Sequence, residues 1–94
     1  MGKSFKASRR LQEETVWVAL EEIHVPEKTW AKVSGRDAGQ IDRMRADFES
    51  GRSMVRVVLR PRFGGGYNIE DGRHRVIAAK LAGVAYIEAI IVGS

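Results

Sequence analysis

The feature that most constrains the fold of this chain is the passage from Tyr67 to Val92, where three kinds of local signal follow one another without a gap. Tyr67 to Glu70 reads as a short strand and Asp71-Gly72 ends it. Arg73 to Ala82 then spaces Val76, Ile77, Ala78, Ala79, Leu81 and Ala82 as a compact helix stopped by Gly83. The run from Tyr86 to Val92 is β-branched and apolar apart from Glu88, as expected for a strand covered on at least one face. Alanines in the helix permit close approach to a sheet. A strand, a helix and a further strand in that order require a sheet with helices packed on it.

The upstream residues extend the pattern. From Thr15, Val16, Val18 and Leu20 share one parity, Trp17 and Ala19 take the other, and Glu21, Glu22 and Ile23 follow, so a first strand buried on both faces near its middle is expected. Pro26 ends it. His24 to Gly39 reads as a long irregular connection anchored by Trp30. Ile41, Met44 and Phe48 then recur at helical spacing, with Gly51 as a C-terminal cap. Met54 to Arg60 alternates as a second strand closed by Pro61, and Gly64-Gly65-Gly66 turns the chain back into Tyr67 to Glu70 as a hairpin. The expected order is β-α-β-β-α-β, an α+β fold with a mixed sheet.

Composition bounds the rest. Ninety-four residues suit one domain, and 44% hydrophobic with 30% charged residues is ordinary for a packed chain. Residues 1–12 read as a basic, flexible leader and 13–94 as the domain. The net charge of +4 resides in Lys3, Lys6, Arg9 and Arg10, because the remaining basic and acidic residues balance. With no cysteine, disulfides, thiolate nucleophiles and zinc-thiolate sites are excluded. The longest apolar run, Val16 to Leu20, is far too short to cross a bilayer, so a cytoplasmic protein without a membrane partner is expected.

The chemistry concentrates in Asp71-Gly72-Arg73-His74-Arg75. A helix N-terminus presents free backbone amides and a partial positive charge, which makes it an anion site. Cations there oppose the helix dipole by roughly 0.3 to 1 kcal/mol each, so Arg73 and Arg75 suggest a bound anion that offsets the cost. Gly72 lets a phosphate approach the main chain, Arg75 can clamp two phosphate oxygens, and His74 can donate a further hydrogen bond. Asp71 has two compatible readings. As an N-cap it accepts a bond from the free amides; as a catalytic residue beside His74 it orients magnesium or takes a proton.

Arg56, Arg60 and Arg62 share a strand parity and form, with Arg52, a cationic stripe suited to nucleic-acid phosphates or, as readily, to a solvated outer face. His24 lacks a companion at metal-ligand spacing, and no metal site is expected. Trp17 and Trp30 are expected core or lid anchors.

The stretch Gly66 to Gly83 resembles the phosphate-binding box of the ParB and sulfiredoxin superfamily, a likeness that extends over Thr15 to Val92. ParB proteins carry Gly-Glu-Arg-Arg-x-Arg-Ala and then Ala-Lys-Leu-Ala-Gly or similar. Gly72, Arg75 and Ala78 match that box, as does Ala79 to Gly83, while Arg73, His74 and Ile77 depart from it. Sulfiredoxin's Gly-Gly-Cys-His-Arg aligns on Asp71 to Arg75 but with Arg73 in place of its essential cysteine, so sulfinic acid reduction is excluded. The ADP-dependent free-serine kinases of the superfamily carry Asp-Gly-His-His-Arg, which matches at Asp71, Gly72, His74 and Arg75. The resemblance implies a ParB-like domain that binds a nucleotide, with magnesium, or another phosphorylated ligand in a DNA-associated role. Such domains usually work with DNA-binding and dimerisation modules, which a separate partner protein would supply. Two alternatives stand beside it: a phosphotransferase, NTPase or ParB-like nuclease, and a DNA-interaction domain using the leader and the Arg56, Arg60 and Arg62 stripe.

Overall fold

The computed structural model describes residues 15–50 and 56–93. The elements are β1 (Thr15–Ala19), a 3-10 turn (Leu20–Glu22), β2 (Ile23–His24), α1 (Glu27–Arg36), α2 (Ala38–Glu49), β3 (Val57–Pro61), β4 (Tyr67–Asp71), α3 (Arg73–Ala82) and β5 (Tyr86–Ile91). The strands form one mixed sheet in the order β1-β5-β3-β4-β2. β1 runs antiparallel to β5 and β4 antiparallel to β3, whereas β3 pairs parallel with β5 and β2 parallel with β4. The expected α+β architecture and the β3–β4 hairpin are present.

Burial follows the strand alternation. Val57 and Leu59 in β3 and Ala89 in β5 are fully buried and Ile87 nearly so, because α3 lies against that face of the sheet. Helix α3 separates two packed regions. Val76 and Ala79 join the cluster on the sheet, while Ile77 and Ala78 face Val33 of α1 and Ile41 of α2. A helix apolar on both sides of its axis is the expected sequence of an element buried between two layers. Phe48 and Val25 touch both clusters, and Trp30 packs against the second as the expected anchor.

The structure corrects the sequence reading at the N-terminal end. The irregular connection expected from His24 to Gly39 contains α1, a helix whose one fully buried residue is Val33. Pro26, read as a strand terminator, stands at the N-cap of α1, and its carbonyl accepts from the amides of Thr29 and Trp30. The first strand also divides. After Ala19 the 3-10 turn carries the chain from one edge of the sheet to the other, held by the Leu20 amide donating to the Ala85 carbonyl. β1 is therefore an edge strand, and Trp17 is 70% exposed rather than a core or lid anchor. Its parity points away from the helices, which cover the face occupied by Val18. Helix α2 ends at Glu49 with Ser50 as its cap. The leader at residues 1–12, Arg52, and the expectations for Gly51, Met54 and Val55 lie outside the described residues.

Candidate functional site

β4, the residue after it and the first turn of α3 build the site. The β3–β4 ladder shifts register between Val58, paired with Asp71, and Leu59, paired with Ile69, which leaves Glu70 as the extra residue. Bulges of this kind bend a strand and re-aim the residues beyond them. Gly72 then takes φ 98° and ψ 30° at the N-cap of α3. A Cβ at this position would come within 2.9 Å of Val57 Cγ1, so the glycine is required by both backbone conformation and the adjacent strand.

This geometry corrects the reading of Asp71 as a cap. Asp71 ends β4 and is exposed, Gly72 holds the cap position, and no side chain caps the helix. The first intrahelical bond runs from the Val76 amide to the Gly72 carbonyl, so the amides of Arg73, His74 and Arg75 lie ahead of the ladder. The first turn contains no acidic residue. Arg73 is exposed, and His74 and Arg75 are half-buried.

His74 is held by a residue the sequence reading missed. Its Nε2 lies 2.8 Å from Asp37 Oδ2, where α1 gives way to α2. The hydrogen bond to His74 holds the Asp37 carboxyl below its ordinary value, with smaller help from the charges of His74, Arg36 and Lys32 against the opposing effect of burial. Nε2 is thus committed to the protein, and Nδ1 is the ring atom left to meet a ligand. Asp37 lies within a segment read as irregular, and its 37-residue separation from His74 left no local signal.

Arg75 opens onto a cavity of about 520 Å³ between α2 and α3, lined also by Gln40, Arg43, Met44, Ala46 and Asp47. Gln40 and Arg43 line this cavity although the sequence reading gave neither a role in the site. Small-molecule sites generally occupy about 300–1,000 Å³. Among the described residues no group of three or more acidic or histidine side chains could hold a metal ion, and no helix is long and apolar enough to cross a membrane.

The arginine stripe is not gathered at this site. Arg60 Nε donates to Glu70 Oε1 at 2.9 Å, an exposed ion pair that raises the arginine and lowers the glutamate from their ordinary values through the hydrogen bond itself. Arg62 lines a different cavity, of about 540 Å³, together with His24, Trp30 and Lys80. Lys80 is seven residues along α3 from Arg73, roughly 10 Å at the helical rise. Arg56 is exposed ahead of β3.

No protein-family model matches the chain, and no curated protein matches it in sequence. Solved structures do match in shape. Sulfiredoxin from Arabidopsis thaliana superposes with a TM-score of 0.67 at 20% identity, covering 86% of each chain. The C-terminally truncated chromosome-partitioning protein ParB from Caulobacter crescentus, complexed with CTP-γ-S, gives a TM-score of 0.68 at 17% identity over 86% of this chain and 45% of that one. The present chain thus spans under half the length of that ParB, and at these identities the likeness concerns fold. Mixed sheet, three helices and the strand-to-helix turn at Gly72 together give this chain the ParB/sulfiredoxin-like fold.

Proposed function

We propose that the chain binds a nucleotide or another phosphorylated ligand at the start of α3, through Gly72, Arg73, His74 and Arg75. The observation that carries this reading is the uncapped first turn of α3, where three backbone amides precede the helical ladder and the turn carries two arginines and no acidic residue of its own, Asp37 engaging His74 from outside it. Such a turn is electrostatically incomplete without an anion. The cavity beside Arg75 supplies room for the remainder of a ligand, with Gln40 and Arg43 of α2 also in its lining. ParB, a neighbour in fold, was captured with CTP-γ-S, which supports a nucleotide as the ligand class.

Each residue has a distinct task in this proposal. The amides and the Arg75 fork take phosphate oxygens, and Arg73 adds a mobile positive charge. Asp37 fixes the ring of His74 so that Nδ1 meets the ligand. Asp71, exposed at the end of β4, faces magnesium brought by the phosphates or accepts a proton. The domain acts in a DNA-associated setting through a separate DNA-binding or dimerisation partner, and exposed Arg56 and Arg62 are the side chains offered to a nucleic-acid backbone.

Thermal unfolding with a panel of nucleotides and inorganic phosphate, with and without magnesium, tests the proposal. A ligand at roughly 100 times its Kd stabilises the fold by about 2.7 kcal/mol, and Arg75→Ala abolishes that gain. Absence of stabilisation by any phosphorylated compound would refute the reading. Phosphate release that needs magnesium and is lost in Asp71→Ala, with binding retained, would extend it to a phosphotransferase or NTPase.

A further inference from the structure

β1 occupies one edge of the sheet, and among the described residues nothing pairs with its outer side. Its sequence, Thr-Val-Trp-Val-Ala, contains no charge and no proline, the devices by which sheets ordinarily protect an edge. The opposite edge needs none, since β2 is only two residues long. Exposed apolar side chains gather at the same place. Among the described residues five large hydrophobic side chains are exposed, and three of them, Val16, Trp17 and Tyr86, belong to β1 and its partner β5. Trp17 pairs with Glu88 and Ala19 with Tyr86, so Trp17 and Tyr86 are diagonal neighbours on the sheet face without helices. Glu88, the charged residue within β5, is already engaged by Thr15 Oγ1 at 2.7 Å.

We infer that β1 is a dimerisation edge, pairing antiparallel with β1 of a second copy about a two-fold axis through Trp17. Antiparallel pairing of identical strands is self-complementary and satisfies both sets of outward main-chain groups at once. Centred on Trp17, it places Trp17 against its own copy, Val16 against Val18 and Thr15 against Ala19. No like charges meet in that register, and the half-covered Val16 gains an apolar neighbour. The two sheets become one continuous sheet with all helices on the same side, leaving the first turn of α3 in each copy unobstructed.

Sedimentation equilibrium over a wide concentration range tests this on the chain itself, on Trp17→Lys, on Trp17→Glu, and on an equal mixture of the two variants. Trp17 is exposed, so each variant retains its fold by circular dichroism. The expected result is a reversible dimer for the unaltered chain, a rise of about tenfold or more in its dissociation constant for each variant alone, and recovery of association in the mixture, where opposite charges meet across the axis. A chain monomeric at every concentration, whether water or another segment covers the edge, overturns the inference. So does a dimer indifferent to both variants, or a mixture that fails to associate.

Discussion

The two ends of α3 are built in opposite ways. At the C-terminal end the helix is closed by Gly83 in the left-handed conformation, its amide donating to the Lys80 carbonyl and the Val84 amide to that of Ala79. Lys80 extends the closure by donating from Nζ to the Leu20 carbonyl at 2.7 Å, which fastens the helix to the 3-10 turn. At the N-terminal end another left-handed glycine begins the helix, but no side chain completes it, and its first-turn residues are basic where the helix dipole favours acids. A helix whose tail is closed by its own chain, and whose head has free donors and excess positive charge, is finished by the fold at one end and, under the proposed function, would be completed by an anion at the other.

The largest effect that would sharpen this contrast is at the glycines. Gly72→Ala is expected to destabilise the fold by about 2–4 kcal/mol, combining left-handed backbone strain with the collision at Val57. Gly83→Ala has the same conformational penalty but meets nothing within 4 Å, so about 1–2 kcal/mol is expected. Chemical denaturation measures both, and equal losses would mean that Val57 yields freely. Arg73→Glu has the opposite sign: replacing a cation by an anion at the helix start should raise the stability of the free protein by roughly 0.6–2 kcal/mol while abolishing phosphate binding. A variant both less stable and unable to bind would point to a structural role for Arg73.

Lys80→Met removes the fastening at the other end, with an expected loss of about 1 kcal/mol and no change in ligand affinity. The smallest effect concerns Asp37. Its carboxyl is held below the ordinary value in the folded state, so its stabilising contribution is present above the usual carboxylate range and is lost as pH falls through the depressed value. Asp37→Asn should flatten that part of the acid-unfolding profile. An unchanged profile would show that the contact with His74 is electrostatically idle.

What could be read in advance divides along the same line. Helix α3, its stop at Gly83, the β3–β4 hairpin and β5 were legible because each rests on local signals: turn residues, alternation and an apolar face. The helix at Glu27–Arg36 was not, since Thr29, Ser34 and Gly35 dilute a stripe consisting of little more than Trp30 and Val33. Nor was the break after Ala19, where contacts made by Ala85 and Lys80 override a run that reads as one strand. At the site, the basic turn was visible as a five-residue pattern, whereas Asp37 reaches His74 through tertiary packing alone. The N-cap expected of Asp71 failed because the left-handed Gly72 takes that position.

The most direct test of the incomplete helix start is to observe its amides. In a titration followed by amide chemical shifts, first with inorganic phosphate and then with nucleotides, the account predicts saturable changes centred on Arg73, His74 and Arg75, with Gly83 and Val84 unmoved. Amides that stay still at the helix start, or shift equally at both ends, would contradict it.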